Sequence, residues 1–330
     1  MTITILVTGA AGYIGSITIK VLLDQGYDVV AFDNLTLGNL ECVDKRAHFV
    51  KGDLLDTSLD KVFKNFNIDA VMHFAGLSLV GESVLYPSAY HAQNVLGTHR
   101  LLQTMCSHGV FKIIFSSSAA VYGESKEIPI KESASLEPTT PYGATKVAVE
   151  HMLAEYDKNY DMRYVCLRYF NVAGAYFNLG ELHHNETHFI PRVLNSIITN
   201  TSVSIYGNDY DTPDGTCVRD YVHVIDISNA HSLALPYLLH GGTSKTYNVG
   251  SETGKSILEV ISMCEKVTGT KIQVNIEGRR SGDPSILVAD SSLIRKDFGW
   301  SEHQTFENII KSAWEWHNRT FVLAKMQTFK

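Results

Sequence analysis

Two side chains in the middle of the sequence, Tyr142 and Lys146, have the types and spacing for acid–base chemistry. They lie four residues apart within Pro141–Lys146, and on a helix that spacing puts both side chains on one face. A phenol has a pKa of about 10 in water, so it is a poor base near neutral pH unless positive charge stabilises the phenolate. Lys146 would supply such a charge. The pair predicts proton removal from an alcohol, although the same spacing also occurs on ordinary helix surfaces.

A glycine-rich turn near the N-terminus predicts a dinucleotide site. Gly9, Gly12 and Gly15 lie between two apolar stretches, Ile5–Thr8 and Ile17–Leu23. Glycines at such a turn allow a tight bend and close approach of a diphosphate, and the N-terminus of the following helix attracts the anion. Taken with the tyrosine–lysine pair, the turn predicts proton removal coupled to hydride transfer.

Two acidic residues follow the second and third predicted strands. Asp33 stands 18 residues after Gly15, where a carboxylate accepts hydrogen bonds from the adenosine ribose. A carboxylate there repels a 2′-phosphate, so NAD is favoured over NADP. Capping of a turn with Asn34 is the alternative role for Asp33. Asp53 could accept from the adenine amino group, although a strand-end aspartate is often only a turn residue.

Further polar residues follow two later predicted strands, where open parallel sheets bind their ligands. We expect Ser118 to hold the reacting alcohol and share its proton with Tyr142, with Ser117 contributing its backbone. A serine run in a loop otherwise serves turn formation. Asn171 follows the next strand and is a further candidate.

The histidines and cysteines do not predict a metal site. His73 is flanked by apolar neighbours, so we expect a buried histidine with satisfied hydrogen bonds. The group His183-His184-x-x-x-His188 completes no ligand set by its spacing. The five cysteines are scattered without metal-ligand or redox-pair spacing, and we expect reduced thiols.

Short apolar runs alternate with helical patterns in the first half of the chain, which predicts parallel strands buried on both faces and a doubly wound α/β sheet. The predicted strands are Thr2–Thr8, Asp28–Phe32, His48–Lys51, Ala70–Phe74, Lys112–Phe115 and Arg163–Tyr169. The predicted helices are Gly12–Gln25, Ser88–Ser107 and Pro141–Lys158.

After Asn171 the pattern predicts a smaller mixed α/β region over the mouth of the sheet. It begins with a loop, Ala175–Glu186. Helices are expected at Phe189–Thr199, Asp226–Leu239 and Ser256–Thr268, and strands at Val203–Tyr206 and Thr246–Val249. We therefore expect an NAD-binding Rossmann domain at residues 1–171. Residues 172–330 would form mainly a substrate-binding domain, with segments that return to the first.

Composition narrows the class of protein. The 330 residues are 45% hydrophobic and 19% charged, with a net charge of −7, which argues against a broad nucleic-acid-binding surface. The N-terminus lacks the basic region of a signal peptide, and we find no apolar run long enough to span a membrane. A cytoplasmic location is expected.

Together these motifs resemble the extended short-chain dehydrogenase/reductase family over nearly the whole chain. The segments that carry the resemblance are Thr8–Ser16, Asp33–Leu35, His73–Gly76, Val80–Ser83, Phe115–Ser118, Val121–Gly123, Tyr142–Lys146, Arg168–Asn171, Tyr206–Tyr210, Asp214–Thr216, Val218–Val224 and Arg279–Pro284. Of these, the region from Tyr206 to Val224 is the most specific to the sugar-nucleotide epimerases of that family.

The resemblance implies a tightly held NAD that is not consumed and an isomerase acting on UDP-galactose and UDP-glucose. Tyr142 would take the proton of the sugar 4-hydroxyl while the C4 hydride passes to NAD. The 4-keto intermediate would then turn over, held by its diphosphate, before hydride and proton return. Lys146 and Ser118 complete the implied catalytic set. A homodimer packed through helices near Ser88–Ser107 and Pro141–Lys158 is also implied.

The resemblance also assigns contacts. It implies cofactor contacts from Gly9, Gly12, Tyr13, Ile14, Gly15, Asp33, Asn34, Asp53, Leu54, Phe74, Ala75, Gly76, Ser78, Asn94, Ser116, Ser118, Tyr142, Lys146 and Phe170. Substrate contacts are expected from Ser118, Tyr142, Asn171, His188, Tyr206, Arg219, Arg280 and Asp283. Arginine forks suit phosphate oxygens, a carboxylate suits the nucleotide ribose, and Tyr206 is expected near the uracil.

The chain departs from some family members at three positions. Ser78 stands where some have Lys on the nicotinamide side, and His188 where some have Asn near the phosphates. Leu287 aligns roughly with a pocket-gating Tyr, and a smaller residue there would admit N-acetylated sugars.

Other functions are weighed against the same residues. A 4,6-dehydratase of this family has Asp-Glu where this chain has Ser118-Ala119. A UDP-N-acetylglucosamine 4-epimerase is a further alternative, and a 4-reductase or a plain dehydrogenase would consume external NAD(H) stoichiometrically. A non-catalytic dinucleotide sensor could lose Tyr142 or Lys146, and both are present.

Overall fold

The computed structural model describes residues 2–182, 186–280 and 282–328. Its strands are β1 (Thr4–Thr8), β2 (Asp28–Asp33), β3 (His48–Lys51), β4 (Ala70–His73), β5 (Lys112–Ser118), β6 (Arg163–Tyr169), β7 (Asn171–Ala173), β8 (Ala175–Tyr176), β9 (Leu179–Gly180), β10 (Val203–Tyr206), β11 (Val218–His223), β12 (Lys245–Val249), β13 (Gly254–Ser256), β14 (Val274–Glu277) and β15 (Ile286–Leu287).

Helices connect these strands. They are α1 (Tyr13–Asp24), α2 (Ser58–Asn65), α3 (Val80–Leu85), α4 (Pro87–Tyr90), α5 (Gly97–Ser107), α6 (Pro141–Tyr160), α7 (Phe189–Thr199), α8 (Val224–Leu239), α9 (Ile257–Thr268), α10 (Ser292–Phe298) and α11 (Phe306–Thr328). Short 3₁₀ turns occupy Leu40–Cys42 and Ala119–Val121, and a π-helical turn, His91–Leu96, joins α4 to α5.

Within the described residues, the main sheet has seven parallel strands in the order β3-β2-β1-β4-β5-β6-β12. Ile5, Leu6 and Val7 of β1 are fully buried, because helices cover both faces of the sheet. The chain runs outward from β1 to β3 and then crosses back to β4. This reversal opens a crevice at the carboxyl ends of β1 and β4, where doubly wound sheets bind their ligands. The predicted Rossmann fold class is confirmed.

A smaller region lies beside the carboxyl ends of the main sheet. Strand β11 pairs with β7, β13 and β15, and β10 pairs in parallel with β14. Helices α7, α9 and α11 contribute buried side chains such as Val193, Val260 and Ile310 to its core. No helix within the described ranges is long and apolar enough to cross a membrane.

Several sequence predictions need correction. The serines predicted to lie in a loop are the last residues of β5, which runs through Ser118. The helix predicted at Ser88–Ser107 is divided by the π-helical turn. The predicted loop Ala175–Glu186 contains β8 and β9, which pair with each other. The sequence analysis also did not predict α2, α3, α10, α11 and the strands β7, β11, β13, β14 and β15.

Candidate active site

A continuous cleft of about 910 Å³ runs between the crevice of the main sheet and the smaller region. This volume is near the upper end of the range for ligand sites. The site residues predicted from the sequence that line it are Gly9, Gly12, Tyr13, Ile14, Gly15, Asp33, Asn34, Asp53, Leu54, Phe74, Ala75, Gly76, Ser78, Ser116, Ser118, Tyr142, Lys146, Phe170, Asn171, His188, Tyr206, Arg219, Arg280 and Asp283. The expected cofactor and substrate groups therefore share one cavity.

The glycine turn between β1 and α1 fits a diphosphate. Gly9 has φ +70°, and a Cβ there would lie 2.6 Å from the Ala75 nitrogen. A Cβ on Gly15 would lie 2.2 Å from the Gly9 carbonyl oxygen, so both positions require glycine. The N-cap of α1 is Gly12, and with no side chain to cap the first turn, its N–H groups can face an anion.

Asp33 closes this side of the cleft. One oxygen of its carboxylate accepts from the Ala11 N–H at 3.0 Å and the other from the Leu35 N–H at 2.8 Å. Asp33 thus also caps the turn, which was the alternative role considered for it. A carboxylate has about four lone-pair sites, so Asp33 can still accept hydrogen bonds from ribose hydroxyls. Asn34 donates to the Asp53 carboxylate at 2.8 Å. These bonds hold the two carboxylates at the cleft wall.

Asn94 does not line the cleft, unlike the other predicted cofactor residues. It is buried, and its side-chain oxygen accepts from the Leu77 N–H at 2.8 Å while its NH₂ donates to the Leu77 carbonyl at 3.0 Å. The same NH₂ donates to the Thr145 hydroxyl at 3.1 Å. Asn94 therefore ties the loop after β4, which carries Ser78, to helix α6.

Helix α6 presents Tyr142 to the cleft. Its N-cap, Thr140, accepts a hydrogen bond from the Gly143 N–H at 3.3 Å, which fixes where the helix begins. Burial raises the pKa of the Tyr142 phenol, and the nearby Ser118 side chain opposes that rise. Ser118 in turn accepts from the Ala120 N–H at 3.2 Å. The phenol therefore needs additional positive charge before it can act as a base near neutral pH.

Lys146 is buried beside this phenol. Its ammonium donates to the Ser116 carbonyl at 2.7 Å and lies 5.7 Å from the centre of the Tyr142 ring. Burial lowers the pKa of Lys146 to about 8, and the charge of Glu150 opposes the decrease. The predicted pair thus lies on one face of α6, with the lysine fixed by the end of β5.

A buried ion pair behind Lys146 was not predicted from the sequence. Glu150 accepts from the Ser117 hydroxyl at 2.5 Å and from the Arg168 guanidinium at 2.9 and 2.5 Å. Arg168 also donates to the Tyr122 hydroxyl at 2.7 Å. The pair therefore joins α6 to β5 and β6 directly behind the catalytic candidates. The spacing of Glu150, four residues after Lys146, was the available signal.

Arginines gather where the smaller region borders the cleft. The Arg280 guanidinium lies 3.6 Å from the centre of the Tyr206 ring, and Arg192 lies 5.9 Å from it on α7. Arg219 lies 4.0 Å from the Asp283 carboxylate. These three arginines line the same cleft, so they can present guanidinium forks to a diphosphate. Sequence reasoning missed Arg192, whose surroundings carry no motif.

His188 lies in an acidic environment at the N-terminus of α7. Its Nδ1 is 2.7 Å from the Glu181 carboxylate and 3.1 Å from that of Glu186. Burial opposes the charge on its ring, but the two carboxylates prevail and raise the pKa of His188 to about 10. The other members of the predicted histidine group, His183 and His184, lie outside the described residues, as does Ser281 of the C-terminal motif.

The expectation for His73 is confirmed. Its two ring nitrogens lie 2.7 Å from the hydroxyls of Thr8 and Thr98. Burial lowers the pKa of His73 to about 3, so the ring is neutral and structural. The five cysteines are free thiols, also as expected.

A Rossmann sheet with a glycine turn at its crevice and a buried tyrosine–lysine pair defines an NAD-binding enzyme of the short-chain dehydrogenase/reductase type. A profile of the NAD dependent epimerase/dehydratase family matches residues 5–250. The chain belongs to that family.

Its relatives narrow the class further. The UDP-glucose 4-epimerase of Halalkalibacterium halodurans is 48% identical over 318 residues, which cover 95% of each chain. A crystal structure of UDP-glucose 4-epimerase from Brucella ovis in complex with NAD has a TM-score of 0.92 at 42% identity, covering 95% of this chain and 98% of that one. The UDP-glucose 4-epimerase from Bifidobacterium longum, solved with NAD⁺ and UDP, has a TM-score of 0.90 at 39% identity, covering 96% and 98%.

Proposed function

We propose that this chain is an NAD-dependent UDP-glucose 4-epimerase that interconverts UDP-galactose and UDP-glucose. The observation that carries the proposal is that one cleft joins the glycine turn, Tyr142 and the arginines that could anchor a diphosphate. The relatives named above support the choice of sugar nucleotide. The Ser118-Ala119 pair lacks the acid and base that a dehydratase requires.

The residues that fit the cofactor form a continuous wall. The turn from Gly9 to Gly15 would hold the diphosphate, Asp33 the adenosine ribose, and Asp53 the adenine. Ser116, Ser118 and Phe170 would border the nicotinamide. When bound, NAD supplies a reversible hydride acceptor for the sugar C4.

Residues of the chain remove and return the proton of the sugar 4-hydroxyl. Tyr142 accepts the proton of the 4-hydroxyl, and Ser118 holds that oxygen in place. Lys146 stabilises the phenolate by its charge, since burial alone disfavours ionisation of the phenol. The 4-keto intermediate then presents its other face, and Tyr142 returns the proton to the same oxygen.

The diphosphate must stay bound while the sugar turns. Arg219 and Arg280 would hold the phosphates through charge-assisted hydrogen bonds, with Asn171 and His188 beside them. Asp283 would accept from the uridine ribose, and Tyr206 would contact the uracil. An anchor remote from the reacting carbon leaves the sugar free to rotate without release of the ketone.

We also propose how the chain is divided and assembled. Residues 1–171 form the NAD-binding domain and 172–330 mainly the substrate-binding domain, with β12 returning to the main sheet. We expect a cytoplasmic homodimer that packs through the helices at 88–107 and 141–158. The apolar side chain of Leu96, in the first of these segments, is 58% exposed, and such an interface would bury it.

The experiment that tests the activity is incubation of purified protein with UDP-galactose, without added nucleotide, while UDP-glucose is followed by chromatography. Formation of UDP-glucose is expected. If the folded protein gives none even when NAD is supplied, the proposal is wrong. A plain dehydrogenase or a reductase would instead consume added NAD or NADH in proportion to substrate.

Tyr142→Phe is expected to lower the rate of this conversion by about 10²–10⁴-fold, because the variant lacks the proton acceptor. Tyr160→Phe is the matched control, since Tyr160 lies on the same helix and is exposed. It should retain the wild-type rate. Equal rates for the two variants would exclude Tyr142 as the base.

A further inference from the structure

Helix α7 holds Arg192 at the cleft. Arg192 is the fourth residue of this helix, and its N–H donates to the His188 carbonyl at 3.2 Å, so it belongs to the first turn. The next two residues, Val193 and Leu194, are fully buried in the core of the smaller region. Because this packing fixes the helix, it also fixes where the Arg192 side chain enters the cleft wall.

Arg192 and Arg280 approach the same aromatic ring from two different segments of the chain. The Arg280 guanidinium lies 3.6 Å from the centre of the Tyr206 ring, and that of Arg192 lies 5.9 Å from it. Hydrogen bonding by Arg280 lowers the pKa of the Tyr206 phenol, and the charges of both arginines lower it further. Two guanidinium groups therefore act on one point of the cleft wall.

The carboxylates of the cleft do not balance the positive charge at this point. Within the described ranges, the acidic residues that line the cleft are Asp33, Asp53, Glu181 and Asp283. Asp283 lies 4.0 Å from Arg219, and neither Arg192 nor Arg280 forms an ion pair with a carboxylate of those ranges. A cleft wall with surplus positive charge attracts an anion, and guanidinium forks match phosphate oxygens in particular.

We propose that Arg192 is a third arginine of the diphosphate anchor and binds a phosphate oxygen of the sugar nucleotide together with Arg219 and Arg280. This role rests on the function proposed above, which assigns the anchor to Arg219 and Arg280 alone. Arg192 comes from α7, Arg219 from β11, and Arg280 from the segment after β14. Three separate segments therefore contact the diphosphate. Arg192 makes its contact away from the reacting carbon, so it serves binding and takes no part in proton transfer.

Isothermal titration of the NAD-saturated protein with UDP tests this role. Arg192→Met keeps an apolar stem but loses the guanidinium, and it should weaken UDP binding by about 10–100-fold, the usual effect of losing a charge-assisted hydrogen bond. Uridine, titrated by displacement of UDP, should bind both proteins equally because it lacks the diphosphate. With UDP-galactose, KM should rise while kcat is kept, since the contact is made equally in the ground state and the transition state.

Arg163→Met is the matched control, because Arg163 begins β6 at the opposite end of the parallel strands from the cleft. It removes the same charge and should keep the wild-type affinity for UDP. Circular dichroism checks that the variants are folded. If Arg192→Met does not fold, Arg192→Lys takes its place, and it should also weaken UDP binding because an ammonium lacks the planar fork.

Unchanged UDP affinity in the folded Arg192 variant would overturn this role. An equal loss for UDP and uridine, or an equal loss in Arg163→Met, would overturn it as well. If the wild-type protein still converts UDP-galactose in any of these cases, the proposed function stands. A wild-type protein that neither binds UDP nor converts UDP-galactose would overturn both.

Discussion

At the scale of single residues, the charge of Lys146 decides what Tyr142 can do. Burial raises the pKa of the phenol and lowers that of the lysine to about 8. Only the state with an ionised Tyr142 and a protonated Lys146 has both a base and its stabilising charge, and the lysine keeps that charge only below its lowered pKa.

Activity should therefore fall as the pH rises through about 8, where Lys146 loses its charge. Below that pH the ammonium is present to stabilise the phenolate as it forms. Lys146→Met should remove this fall and lower the neutral rate by about 10²–10⁴-fold. The measurement is the pH profile of kcat for UDP-galactose, with Lys158→Met as the control on the same helix. A profile unchanged by Lys146→Met would contradict this role.

We expect the side chain of Leu287 to influence which sugar nucleotides the cleft accepts. It lines the cleft and is paired with Arg219 across β15 and β11. The wild-type protein is expected to convert UDP-N-acetylgalactosamine as well as UDP-galactose. Leu287→Tyr should lower the relative rate with the N-acetylated sugar by about 10–200-fold, because a larger ring fills space needed by the acetyl group. Leu287→Met should keep the wild-type relative rate with the N-acetylated sugar. The hypothesis fails if the wild type does not turn over the N-acetylated substrate.

At the level of secondary structure, helix α6 places three polar side chains of the candidate site on one face. Tyr142, Lys146 and Glu150 follow each other at intervals of four residues, which a helix places on one face. The first faces the cleft, the second contacts the end of β5, and the third pairs with Arg168 of β6. The ion pair thereby sets the position of the helix relative to the strands.

Glu150→Gln should lower the free energy of unfolding by about 3–5 kcal/mol, because it leaves the Arg168 charge buried without its partner. It should also move the fall in the pH profile to lower pH, since the Glu150 charge raises the pKa of Lys146. Denaturant unfolding and the kcat profile are the two measurements. Glu155→Gln, on an exposed position of α6, should change neither. A loss of stability with an unmoved profile would leave Glu150 a purely structural role.

At the scale of the whole molecule, strands from the two halves of the chain are interleaved. After β6 the chain enters β7, which pairs with β11 of the smaller region, and β12 later returns to the edge of the main sheet. Helix α8, from the second half, packs against α1 beside the glycine turn. These crossings join the two walls of the cleft, which the glycine turn and the arginines both line.

The proposed homodimer can be tested by a substitution in its expected interface. Leu96→Glu should convert the proposed dimer to a monomer in analytical ultracentrifugation, because it places a charge in an apolar interface. Leu258→Glu is the control, since Leu258 is also exposed but lies on α9 of the smaller region. A wild-type protein that is monomeric at all concentrations would refute the dimer.

The local features of the fold follow from the sequence alone. Strand β3 and helix α7 have the predicted bounds, and the glycine turn and the tyrosine–lysine pair lie on the predicted elements. Such features depend on residues a few positions apart: apolar periodicity defines strands and helices, and a spacing of four aligns side chains on a helix. A resemblance across many motifs then indicated the class of enzyme.

Contacts between residues far apart in the sequence arise only in the folded protein. Strand β12 joins the main sheet through residues about eighty positions earlier, and nothing within Lys245–Val249 indicates that partner. The contact between Glu150 and Arg168 and the approach of Arg192 to Tyr206 arise in the same way. Residue spacing therefore predicted the tyrosine–lysine pair, while packing between elements produced the cavity around it.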